Sequence, residues 1–332
     1  MHVNFNSFGL GLCGGNRMIL ELTDGLVERG YRVTITHLGT SDVYKWYGQP
    51  KAEIINLGYP SKVARALGKY YLRKRHYIYD VAHYLQMHIP DCDVNVATWY
   101  VTAYSTVYSE KGRMFYLVQH YRPVLSSFES EGKEAMIEYA LSFHLPMTKL
   151  CVSHWVTEKV NGVFIGNGVN LAKFKPLQLS KKYDVMVIPR NVKWKGNYAP
   201  VIEQLRSAGL NVLEVKNASE HEMVKAYNLS KIFLYLSEQE GFGYPPAESL
   251  ACGTPVISTP CTEYLVDNQN AVILPQNWTL TEVTSKIKWL LQNSDFANFL
   301  TEQGLKTAQT LDFNKTIDRF ENAISQSGSV NS

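Results

Sequence analysis

The sequence predicts an α/β protein with two doubly wound parallel sheets, on three observations. Short apolar runs alternate with helix-period segments along the chain. The runs form two series, separated near Gly166-Asn-Gly-Val-Asn-Leu-Ala-Lys-Phe-Lys-Pro176. Glycine-rich segments follow directly on several runs, where a parallel strand passes into its crossover. Repeated βα units imply a parallel sheet, and two series imply two such domains. A length of 332 residues suits two domains of ordinary size.

The first domain is expected over residues 1–165. After a first strand comes a helix from Asn16 to Glu28, where Met18, Ile19, Leu22, Leu26 and Val27 recur at helical spacing and Gly30 supplies the stop. Val33–Thr36, Val94–Ala97, Phe115–Val118 and Leu150–Val152 read as further strands. The second domain is expected over 166–310, with strands at Tyr183–Ile188, Val212–Val215, Ile232–Leu236, Pro255–Ser258 and Ala271–Leu274. Helical patterns at 198–208, 220–229, 246–252 and 280–293 fill the gaps, the last opened by a capping box at Thr279 and Glu282. A final helical pattern, Phe313 to Ile324, lies in the tail 311–332.

Hydrophobic residues make up 45% of the chain and charged ones 19%, the balance of a well-cored globular protein. No apolar run approaches the roughly 20 residues that span a bilayer, and the opening residues lack a basic and apolar leader pattern. Five cysteines without paired spacing are expected to be reduced thiols, hence a cytoplasmic location. A net charge of +3 is too small to imply nucleic acid. The nine histidines show no ligand spacing, so no metal is expected.

The most informative stretch runs from Glu240-Gly-Phe-Gly-Tyr-Pro-Pro-Ala-Glu248 through Ser-Leu-Ala-Cys-Gly-Thr-Pro-Val-Ile257. It follows the apolar run Lys231–Ser237, so a buried strand enters a glycine loop where backbone can approach a ligand. Pro245 or Pro246 suits the first turn of a helix, and Glu248 inside that helix leans back towards the loop. Two carboxylates, open backbone N–H groups and a helix N-terminus suit a ligand carrying both hydroxyls and phosphates.

That string resembles the donor signature of the retaining family-4 glycosyltransferases of GT-B fold, glycosyl transferases group 1. The resemblance implies two Rossmann-like domains facing across a cleft, a terminal helix crossing back to the first domain, and a nucleoside-diphosphate-sugar donor with no cofactor. It implies that Glu248 holds the ribose and Glu240 the transferred sugar, with Gly241, Phe242, Gly243 and Tyr244 completing the donor loop. Ile188-Pro-Arg190-Asn-Val-Lys-Trp-Lys195-Gly196 is similar to the family segment whose cations neutralise the leaving diphosphate, with Pro189 where glycine is usual. Arg190 and Lys195 inherit that role, and Lys193 competes for the second. His120, after the run Tyr116–Gln119, corresponds to a sugar- or acceptor-contacting histidine. Gly14 and Gly15 correspond to a loop lying against the donor diphosphate or the acceptor. Asn170 stands where the family's interdomain segment usually has Asp.

Retention in this family is explained by front-face attack, with the leaving phosphate taking the acceptor proton. The expected acceptor is a hydroxyl of a glycolipid, polysaccharide or glycan intermediate. Two rivals stand beside this reading. Gly9-Leu-Gly-Leu-Cys-Gly14 matches GxGxxG, so an NAD-type oxidoreductase or epimerase is one, although Thr34-Ile-Thr-His-Leu-Gly39 lacks the ribose-binding acid expected there. A non-catalytic sugar-nucleotide-binding protein is the other. Lys62, Arg65, Lys69, Arg73, Lys74 and Arg75, interleaved with tyrosines through Tyr79, make an anionic membrane surface a further expected partner of residues 62–79.

Overall fold

A computed structural model describes residues 1–39, 42–58, 75–121, 133–189 and 196–326. The chain divides into two compact units, Met1–Gly166 with Thr316–Ser332, and Asn167–Lys315.

The first unit runs β1 (His2–Ser7), α1 (Gly14–Glu28), β2 (Arg32–His37), α2 (Val43–Trp46), β3 (Glu53–Asn56), α3 (Arg75–Gln86) and β4 (Val94–Ala97). It continues through α4 (Tyr100–Ser109), β5 (Arg113–Val118), α5 (Lys133–Ser142), β6 (Thr148–Cys151), α6 (His154–Val160) and β7 (Val163–Phe164). The strands lie in the order β3-β2-β1-β4-β5-β6-β7. All pairings are parallel. The order reverses between β1 and β4, so the loops after these strands open at a topological switch point, where doubly wound sheets bind ligands.

The second unit runs β8 (Tyr183–Val187), α7 (Tyr198–Ser207), β9 (Val212–Glu214), α8 (Glu220–Leu229), β10 (Ser230–Tyr235), α9 (Tyr244–Ala251), β11 (Val256–Ser258), β12 (Val272–Ile273), α10 (Leu280–Gln292) and α11 (Ser294–Thr310). Its parallel sheet is ordered β12-β11-β10-β8-β9, and its reversal falls between β8 and β10. Val185, Val187, Ile232, Leu234 and Ile257 on the central strands pack with Val201, Leu205, Val283 and Ile287 from α7 and α10. The expected capping box forms: Thr279 accepts from the Glu282 N–H at 3.2 Å, and Glu282 accepts from the Thr279 N–H at 2.7 Å.

The entry to this unit is tied by short local bonds. Asn170 Oδ1 accepts from the N–H groups of Ala172 and Lys173 at 3.1 and 3.3 Å. A turn of this kind needs only a side-chain oxygen, so asparagine serves as aspartate would. The Val169 N–H donates to the Leu311 carbonyl and the Phe313 N–H to the Val169 carbonyl, joining the unit's two ends. The last helix, α12 (Phe313–Gln326), begins there and passes into the first unit, where Phe320 stacks on Phe5 with centroids 5.7 Å apart.

Candidate active site

The loop after β10 and the start of α9 form the core of the site. The apolar run that builds β10 is interrupted by Tyr235, and Ser237 follows two residues later on the same side. Both hydroxyls donate to Oε1 of Glu240, at 2.5 and 2.9 Å. The backbone holds Glu240 as well, through a 2.9 Å bond from its N–H to the Cys261 carbonyl. Thr259 reinforces this link between the loops after β10 and β11, donating to the Ser237 carbonyl and accepting from its N–H. Glu240 is only 7% exposed. Such burial of a carboxylate requires hydrogen-bond partners, and these are in place.

Gly243 ends the loop and caps α9 at φ +86°, a left-handed angle. A Cβ there would also sit 2.7 Å from Thr262 Cγ2, so both backbone and space demand glycine. Pro245 and Pro246 then occupy the second and third helical positions, preset in φ for a first turn. Prolines have no N–H, so the α9 terminus cannot supply the full set of backbone donors to a phosphate. Phe242 and Tyr244 meet edge-on at 5.4 Å, and the Tyr244 hydroxyl donates to Asn167 Oδ1 at 3.1 Å.

Glu248 lies one turn into α9 and is 3% exposed. Its Oε2 accepts from the Tyr227 hydroxyl of α8 at 2.9 Å. The helix is pinned from behind by Gly304 of α11, which packs against Leu250. Arg190, Lys193 and Lys195 lie outside the described residues. Gly196 follows them immediately, and its Cβ position, at φ +91°, would collide with the Leu236 carbonyl. Gly196 itself is therefore fixed against the strand end that leads to Glu240. The Leu236 N–H also donates to the Tyr198 hydroxyl at 2.7 Å, tying the start of α7 to the same strand end.

In the first unit, Cys13 caps α1, its Sγ accepting from the Asn16 N–H at 3.4 Å, and Asn16 Nδ2 closes the loop onto the Gly11 carbonyl at 2.7 Å. Gly14 and Gly15 therefore open the helix itself. A Cβ on Gly15 would stand 3.0 Å from Gln119 Oε1, which places α1's first turn beside the residue preceding His120. His120 is half-buried, with its ring edge-on to Trp155 at 5.6 Å, and its carbonyl accepts from the Tyr139 hydroxyl at 2.7 Å. The structure thus groups Glu240, Gly241, Phe242, Gly243, Tyr244 and Glu248 in one unit, and Gly14, Gly15 and His120 in the other.

Where a dinucleotide fold carries its ribose acid, β2 ends in His37. His37 is fully buried, and burial lowers its pKa to about 4, the nearby Gly39 backbone offsetting only part of this. A neutral imidazole in the interior cannot replace that carboxylate, which disfavours the NAD-type reading. The basic stretch 62–74 also lies outside the described residues. Among those described, no helix is long and apolar enough to cross a membrane, and no cluster of metal-ligating side chains occurs. The described cysteines are free thiols. Tyr227, Tyr235 and Ser237 escaped sequence reasoning. Their signal was a hydroxyl interrupting an otherwise apolar strand or helix face next to the motif.

Residues 157–307 match the family model for glycosyl transferases group 1. That match lies within the second unit and its edges, and includes the Glu240–Glu248 segment. Solved structures of glycosyltransferases with the GT-B fold are similar to this chain over its whole length. Sucrose-phosphate synthase from Thermosynechococcus elongatus has a TM-score of 0.77 at 13% identity, covering 99% of this chain and 100% of its own. HepE from Anabaena, in complex with UDP-glucose, has 0.74 at 11%, covering 98% and 100%. TarM from S. aureus, in complex with fondaparinux, alpha-GlcNAc-glycerol and UDP, has 0.71 at 9%, covering 97% and 99%. No curated protein sequence matches the chain.

Proposed function

We propose that this glycosyltransferase moves a sugar from a nucleoside-diphosphate donor to an acceptor hydroxyl on a glycan or lipid-linked intermediate, retaining anomeric configuration and using no metal or other cofactor. The observation that carries the reading is the pair of buried carboxylates, Glu240 and Glu248, held at the C-terminal edge of the second sheet beside its topological switch point. Glu248 receives the ribose hydroxyls, and Glu240 orients the transferred sugar. The Gly241–Gly243 backbone, with Phe242 and Tyr244 around it, receives the diphosphate. Arg190 and Lys195 neutralise the charge that develops as the diphosphate leaves. Gly14, Gly15 and His120 serve the sugar and acceptor from the first unit. The UDP-glucose bound by HepE and the UDP and glycoside bound by TarM support this donor and acceptor chemistry.

Thermal unfolding with UDP-glucose, UDP-N-acetylglucosamine, GDP-mannose and ADP-glucose tests the donor assignment. A donor at a hundred times its Kd should stabilise the folded protein by about 2.7 kcal/mol. That shift should vanish in Glu248→Ala. Equal stabilisation of wild type and Glu248→Ala by every donor, or stabilisation by NAD alone, would remove the assignment. Retention is read from the anomeric proton of the product. We further propose a cytoplasmic location and contact of residues 62–79 with anionic membrane, checked by co-sedimentation with phosphatidylglycerol vesicles and its loss when the six cations become glutamine.

A further inference from the structure

The two donor carboxylates share a support that the motif does not contain. Tyr235 on β10 donates to Glu240, and Tyr227 on α8 donates to Glu248. Phe233 lies between the two tyrosines, edge-on to Tyr227 with centroids 5.4 Å apart and tilted against Tyr235 at 5.8 Å. Tyr227 and Phe233 are fully buried, and Tyr235 is nearly so. One continuous aromatic stack therefore ends in two hydroxyls, and each hydroxyl grips a different acid. Ser237 adds a second donor to the oxygen that Tyr235 already holds.

A buried tyrosine needs some acceptor, and a backbone carbonyl would satisfy it. Here both select a carboxylate oxygen instead. Two donors on Oε1 of Glu240 fix the rotation of the carboxylate plane, and one on Oε2 of Glu248 does the same there. A ligand hydroxyl then meets carboxylates whose orientation is set from inside the fold. Pre-set carboxylates spare the reorganisation that mobile ones would undergo on binding.

We propose that Tyr235, with Ser237, and Tyr227 are positioning residues, each orienting one carboxylate for a different part of the donor: Glu240 for the sugar and Glu248 for the ribose. The inference rests on the donor reading of those two acids.

The test separates the two roles by binding rather than by turnover. Calorimetry compares a nucleoside diphosphate with its sugar conjugate, using the pairs UDP and UDP-glucose, GDP and GDP-mannose, and ADP and ADP-glucose. Tyr227→Phe should weaken both members of the bound pair alike, on the order of tenfold, since both carry ribose. Tyr235→Phe should leave the free diphosphate unchanged and weaken only the sugar conjugate by a similar factor. Phenylalanine keeps the aromatic stack, and Ser237→Ala must reproduce the Tyr235→Phe pattern if that variant fails to fold. Equal loss for both ligands in Tyr235→Phe and Ser237→Ala would mean that these hydroxyls serve only the fold, and would overturn the inference. So would unchanged affinities in the tyrosine variants while Glu240→Gln and Glu248→Gln bind weakly. Unchanged affinities in the two glutamine variants, or no binding of any pair to the wild type, would instead remove the donor reading underneath.

Discussion

Single residues carry conflicts that their neighbours resolve, and His37 has a measurable one. The unfolded chain protonates this imidazole near its ordinary value of about 6.5. The folded chain does so only near 4, because burial opposes the charge. Between those values the unfolded state binds the extra proton, so stability rises with pH across the window and is level above it. Lowering the pH from 7 to 4 should cost about 3 kcal/mol through this group alone. Urea midpoints measured every half unit should show that slope, and His37→Leu should flatten it. Gly243 offers a second test at this scale. Alanine there meets both the left-handed angle and the Thr262 methyl, so Gly243→Ala should lose about 2 kcal/mol of stability and most donor affinity. Unfolding midpoints and donor titrations of the variant check the two effects separately.

Whole elements show why some of the architecture was legible and some was not. Strands of the second unit are short apolar runs with turn residues at both ends, so β8, β10 and β11 were placed within a residue or two. In the first unit α4 is almost wholly buried, including Thr102, Ser105 and Thr106, and a helix without a polar face leaves no 3.6-residue pattern to find. The helix α11 was hidden differently: its buried positions include Gly304 and Ala308, small residues chosen for close packing rather than hydrophobicity. The Glu240–Glu248 segment was legible because two glycines, two prolines and two carboxylates crowd nine consecutive residues. Its tyrosine supports were not, since Tyr227 is distant in sequence and joins Glu248 only through the fold.

The centre of the first sheet has its own hidden device at the element scale. Asn4 and Asn6 of β1 and Asn95 of β4 are fully buried. Their amides bond to one another at 2.7 to 3.2 Å. Thr34 and Thr36 of β2 donate to Asn4, and Thr106 of α4 accepts from Asn6. A one-residue slip of β1 would turn these amides into the apolar face, so the network fixes the register at the switch point. Asn95→Ala leaves the Asn4 and Asn6 amides short of an acceptor and should cost about 3 kcal/mol in urea unfolding. A loss below half that amount would show that the register is set by the apolar positions alone.

At the scale of the molecule, the chain leaves its first unit at Gly166 and returns to it through α12. The returning segment is well anchored. Phe320 and Ile324 are buried, Ile317 occupies the space left by Gly25 of α1, and Arg29 pairs with Asp318 and Glu321. Those surface ion pairs add little, about 1 kcal/mol at most. The apolar contacts dominate, and Phe320→Ala should cost about 3 to 5 kcal/mol. The loss belongs to one unit, because the Asn167–Lys315 unit has its own core around β8, β10 and α10. Hydrogen exchange with the bound donor should therefore reveal two separate responses in Phe320→Ala. Amides of β1, β4 and β5 should exchange faster than in wild type, whereas those of β8 and β10 should keep both their protection and its increase on donor binding. Uniform loss of protection throughout the variant would show that the two units unfold as one, and that the terminal helix supports the Asn167–Lys315 unit as much as its own.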